Sequence, residues 1–104
     1  RVVKIEEKRI SLSEVEHRLL ELDGILDAAA LPITRGSRQS VGALLVLHPD
    51  ARRRWGKSQE LQWRKALRAL LEPVAIPRYW RVIDEIPVNS MNKRVYAQLQ
   101  ELFH

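Results

Sequence analysis

A chain of 104 residues suits one domain and can bury roughly 60–70% of the surface that its unfolded form exposes. Hydrophobic residues at 45% beside 30% charged ones fit a soluble globular protein and argue against intrinsic disorder, while the absence of cysteine excludes a disulfide framework or a thiolate metal site. The net charge of +5 leaves two readings open: an acidic partner such as nucleic acid, an acidic protein or a polyphosphate cofactor, or an ordinary mixed surface in water.

No apolar run approaches the roughly 20 residues of a membrane span. The opening "RVVKIEEKRI" lacks the basic, apolar and small-residue regions of a signal peptide. It also lacks a methionine, so the expectation is a fragment or processed piece, working in the cytoplasm. In chain order, "RVVKI" reads as a short strand, "EEK" as a turn and "RISL" as the returning strand, a small hairpin with a highly charged tip. "SLSEVEHRLLELDG" predicts a helix. Ser13 and Glu16 have capping-box spacing, Val15, Leu19 and Leu22 share one face, and Gly24 closes the end. "ILDAAALPIT" and "SVGALLVLH" predict two strands, able to pair as a hairpin around the polar loop "RGSRQS". The apolar run of Val41, Leu44, Leu45, Val46 and Leu47 marks the second as central. "PDARRRWGK" reads as a loop carrying three adjacent arginines, Arg52 to Arg54. "SQELQWRKALRALLEP" predicts a helix capped by Ser58 and stopped by Pro73, with Leu67, Leu70 and Leu71 at helical spacing and Leu61 and Trp63 nearby. An extended segment from Tyr79 to Ile83 follows, then a closing helix, "RVYAQLQELF", with Val95, Leu99 and Leu102 in register. This order predicts an α+β fold, a small sandwich of a mostly antiparallel sheet and hairpin with about three helices.

Few residues assemble into chemistry on their own. A Walker or dinucleotide loop needs clustered glycines before a helix, and the four glycines at 24, 36, 42 and 56 are scattered. His17, His48 and His104 are too far apart to suggest a metal site, and no serine sits in a nucleophile elbow. Trp55, Trp63 and Trp80 fall in different elements, which favours packing over base stacking. Lys93, before the closing helix, is either a solvated surface charge or a catalytic group.

Two stretches resemble the small C-terminal domain of the adenylate-forming superfamily, which includes acyl-CoA synthetases, nonribosomal peptide synthetase adenylation domains and luciferases. "VVKIEEKRISLSEVE" resembles the segment that opens that domain, through Lys4-Ile5, Arg9-Ile10 and Glu14-Val15-Glu16. "IDEIPVNSMNKR" resembles its closing motif, an acidic residue and proline followed by a polar loop ending in Gly-Lys, here Pro87 and Lys93. With "VGALLVL" and "IPRYW" between them, the resemblance covers essentially the whole chain.

The resemblance implies that residues 1–104 are one mobile domain of a larger ligase. Its N-terminal domain binds ATP with Mg and a carboxylic acid. Lys93 is then the catalytic lysine of adenylation. Glu6, Glu7, Lys8 and Arg9 belong to the hairpin lining the thioester-forming site, where CoA or the phosphopantetheine of an acyl carrier protein accepts the acyl group. Arg9 is open to two roles, contacting phosphate or anchoring the turn. The isolated domain is expected to be inactive, with no metal site, no nucleic-acid partner and no membrane span. Departures from the pattern are Glu7 and Asn92 at glycine positions, Asn89 at a threonine and Tyr96 at a basic residue. Glu7 adds bulk and negative charge where a pantetheine arm passes. The rival readings are a small basic binding module for nucleic acid or protein, and a ligase domain retaining adenylation only.

Overall fold

The computed structural model describes residues 1–103; His104, one of the three histidines weighed as metal ligands, lies outside the described residues. β1 (Val2–Ile5) and β2 (Lys8–Ser11) form the expected antiparallel hairpin, with Ile5 opposite Lys8. That register leaves only Glu6 and Glu7 for the turn, and both take positive φ, 50° and 70°. A two-residue hairpin of this hand needs two left-handed residues, a place usually filled by Asn-Gly.

α1 (Leu12–Leu20) starts directly from β2. Its cap is Ser11, whose hydroxyl accepts from the Glu14 N–H at 3.2 Å, and not the expected Ser13. The reason is backbone geometry: Ser11 is the last extended residue, so its side chain faces the free N–H groups. The partner carboxylate of the expected box, Glu16, is committed elsewhere. Val15 and Leu19 are buried and Leu22 packs against them. Gly24 does not close this helix, which ends at Leu20 with Glu21 as its cap. It turns the chain into the next strand at φ 105°, and a Cβ there would lie 3.0 Å from the Ala51 Cβ.

β3 (Ile25–Arg35) and β4 (Arg38–Leu47) pair antiparallel down to Arg35 opposite Arg38, so only Gly36 and Ser37 form the turn. Most of the expected polar loop is strand, because its ladder runs past the covered part of the sheet into water. β5 (Tyr79–Val82) pairs parallel with β4, which makes β4 the central strand of a mixed three-stranded sheet.

The sheet is covered on both faces. One face, with Ala28, Ala30, Val41, Ala43 and Leu45, packs on α1, the β1–β2 hairpin and Trp63 and Leu67 of α3 (Lys57–Leu67). The other, with Leu31, Ile33, Leu44 and Val46, packs on Leu99 and Phe103. The structure is thus the expected α+β sandwich, with a further layer at the C-terminus.

The expected arginine loop is helical, α2 (Pro49–Arg53), with proline at the first-turn position where no backbone N–H is needed. α3 starts from Gly56 and Ser58 makes no capping bond. Its buried positions are Trp63 and Leu67, with Leu71 beyond its end, while Leu61 is exposed. It ends at Leu67, well before Pro73, which opens a 3-10 turn to Ala75. The closing helix, α4, is short (Tyr96–Leu99) and tightens into a 3-10 turn, Gln100–Phe103. It buries Leu99 and Phe103, and Leu102 faces outward.

Candidate functional site

The loop before α4 is built around Asn89. Its side-chain oxygen accepts from the Met91 N–H at 2.9 Å and the Lys93 N–H at 3.0 Å. Its own N–H donates to the Lys93 carbonyl at 2.8 Å, and its carbonyl accepts from the Asn92 N–H at 2.9 Å. Asn92 sits at φ 61°, in the left-handed region that asparagine reaches cheaply. The Lys93 backbone is therefore fastened at both N–H and carbonyl. Its side chain is exposed, and no ion pair holds the ammonium among the described residues.

The next residue anchors the loop to the sheet. Arg94 donates to Asp27 Oδ1 at 2.7 Å and to the Ala28 carbonyl at 2.8 Å. Burial alone would lower its pKa, but hydrogen bonds and charge from Asp27 and Tyr96 outweigh it and hold the guanidinium above its ordinary value. Two residues on, the Tyr96 hydroxyl donates to Glu16 Oε2 at 3.1 Å. The same oxygen accepts from the Ala30 N–H at 2.8 Å and from Arg1 at 3.0 Å, and lies 3.9 Å from Arg94. Arg1 also donates to the Ala30 carbonyl and stacks 3.5 Å over the Tyr96 ring.

The hairpin residues stand apart from this cluster. Glu6, Glu7, Lys8 and Arg9 are all exposed. Glu7 lies 3.9 Å from Lys4, and Lys8 lies 3.9 Å from Glu72. No hydrogen bond to the turn holds Arg9 among the described residues. Glu6 borders a cavity of about 260 Å³, lined also by Arg38, Arg64, Arg68, Arg78 and Ser40. Lys93 does not line it. Of these arginines Arg64 is held by Glu60 at 3.2 Å. The adjacent Arg52 and Arg53 are instead paired with Asp84 and Asp50. The basic cavity was hidden in the sequence because its arginines come from β4, α3, the turn after it and the approach to β5. The tryptophans do pack, as expected: Trp55, Trp63 and Trp80 stack on one another with ring centres 5.7 to 6.4 Å apart.

No family model matches the sequence. The chain is 30% identical over 97 residues to the dapdiamide synthesis protein DdaD of Enterobacter agglomerans, a match over 93% of this chain and 16% of that protein. Among solved structures it is similar to the Brucella canis acyl-CoA synthetase (TM-score 0.84, 22% identity, 98% of this chain and 19% of that one). It is also similar to the anthranilate CoA ligase AuaEII in complex with anthranoyl-AMP (TM-score 0.84, 18% identity, 98% and 20%). This chain spans about a fifth or less of the length of each of these proteins. It has the fold of the C-terminal domain of the adenylate-forming superfamily, as its opening and closing motifs imply.

Proposed function

We propose that the chain is the mobile C-terminal domain of an AMP-forming acid–thiol ligase and that Lys93 is its adenylation lysine. The observation that carries this reading is the Lys93 loop, with its backbone fastened, its side chain exposed and its ammonium without an ion-pair partner among the described residues. A cation held out in this way is free to serve a site beyond the domain. In the reaction a carboxylate oxygen attacks the α-phosphorus of ATP, pyrophosphate leaves, and the acyl-adenylate remains. Both reactants are anions. A compact ammonium held between them offsets the charge that gathers in the transition state. A thiol then displaces AMP to give the thioester.

The reading places the ATP and Mg site outside this chain. No group of three metal-ligating side chains occurs among the described residues, and the glycines are dispersed. Those substrates are assigned to an N-terminal domain, and for that reason the isolated domain is expected to be inactive. For the acceptor, the cavity bordered by Glu6 offers four guanidinium groups, a donor set suited to the phosphates of CoA or of a carrier protein's phosphopantetheine. Glu7, Lys8 and Arg9 would flank the passage of its thiol arm.

In the full-length enzyme Lys93→Ala is expected to lower carboxylate-dependent pyrophosphate exchange about 10²–10³-fold, the usual cost of losing one preorganised charge. Thiol transfer from supplied acyl-adenylate is expected to continue. Equal loss of both half-reactions overturns the assignment.

A further inference from the structure

We propose that Glu16 is a positioning residue for Lys93, acting through Tyr96 and Arg94. The inference rests on the reading of Lys93 as the adenylation lysine. The Asn89 clamp lies wholly inside the loop, so it sets the loop's shape and not its direction. Direction comes from what the loop is tied to. Ile86 is buried before the loop, and beyond it Arg94 and Tyr96 are the polar ties, which lead to the edge of β3 and to one oxygen of Glu16.

That oxygen is over-determined. It accepts from the Ala30 N–H, the Tyr96 hydroxyl and Arg1, with Arg94 at 3.9 Å, and the Glu16 side chain is only 14% exposed. A carboxylate so enclosed cannot exchange these donors for water without cost. The Tyr96 ring is gripped twice, at its hydroxyl by Glu16 and on its face by Arg1. Lys93, three residues before Tyr96, therefore takes its bearing from a charge on α1. The sequences of the two segments show none of this, since Glu16 and Tyr96 are 80 positions apart.

The test uses the full-length enzyme with both half-reactions measured. Glu16→Ala is expected to lower kcat for pyrophosphate exchange about 10²-fold, the penalty for a misplacement near 1 Å. KM for ATP and the acid is expected to stay within about twofold, because uniform binding is untouched. Transfer from supplied acyl-adenylate is expected to be unchanged. Combined with Lys93→Ala, the substitution is expected to add nothing. Glu16→Gln keeps an acceptor oxygen for Ala30 and Tyr96 and is expected to recover most of the rate. Tyr96→Phe removes one hydroxyl and is expected to show part of the same loss, which covers the case of Glu16→Ala failing to fold. Parallel loss of both half-reactions, or losses that multiply with that of Lys93→Ala, overturns the proposal while leaving the role of Lys93 intact. Full exchange activity in Lys93→Ala alone overturns the parent reading, and this inference with it.

Discussion

Glu6, Glu7 and Asn92 occupy the left-handed region without being glycine, and they are not equivalent. Asparagine reaches that region through local hydrogen bonding of its short side chain, whereas a glutamate Cβ crowds the neighbouring carbonyl at about 1–2 kcal/mol per residue. The hairpin tip is thus a strained place and the lysine loop is not. Glu7→Gly relieves about 1–2 kcal/mol of strain and returns about 0.4–1 kcal/mol of freedom to the unfolded chain. A net gain of about 1 kcal/mol is expected in urea unfolding. The exposed Lys4–Glu7 pair at 3.9 Å offsets little of it. The left-handed turn at Asn92 was readable from the sequence because the requirement and the residue occupy one position. The work of Asn89 is local too, but four hydrogen bonds around one residue leave no periodic trace. Glu16 looked like half of a capping box for the same reason that it is not one: spacing along α1 says nothing about a strand folded beside it.

Strand β4 was legible because burial on both faces writes a continuous apolar run, and its pairing partner lay next to it in sequence. The parallel β5 was legible only as an extended segment, since nothing in its residues names the strand it joins. Sequence spacing misplaces helix ends wherever a neighbouring element sets them: Ser11 caps α1 because β2 ends there, and α4 tightens into a 3-10 turn as Phe103 seats on the sheet. That seat is Gly42. A Cβ on Gly42 would stand 2.7 Å from Ile33 Cγ1 and 2.9 Å from Phe103 Cζ, so the ring occupies the space of the missing side chain. Gly42→Ala forces Phe103 or Ile33 to move and is expected to cost about 1–3 kcal/mol, as overpacking does in other cores. A lowered urea midpoint with an unchanged slope is the expected reading. Little change in the midpoint would mean that the C-terminal turn shifts freely and is not a fixed layer.

Across the molecule, the free edge of β3 is closed by side chains from both ends of the chain. Arg94 takes the Ala28 carbonyl, Glu16 the Ala30 N–H, Arg1 the Ala30 carbonyl and Gln100 the Pro32 carbonyl, while Pro32 itself has no N–H to offer. An uncovered edge of this length would pair with another copy. Removing residues 94–104 strips two of these covers together with Leu99 and Phe103, and concentration-dependent self-association is the expected result in size-exclusion chromatography. A monomer at all concentrations would show that Arg1, Glu16 and Pro32 suffice. On the opposite face of the sheet sits the stack of Trp55, Trp63 and Trp80, which holds every indole of the chain. Rings at such separations couple their electronic transitions, so the circular dichroism of this chain is expected to carry an exciton signature of one cluster in one geometry. That signal reports whether the interior is intact and is blind to how the domain is oriented. A rigid-body swing of the domain would leave it unchanged, and unfolding would erase it.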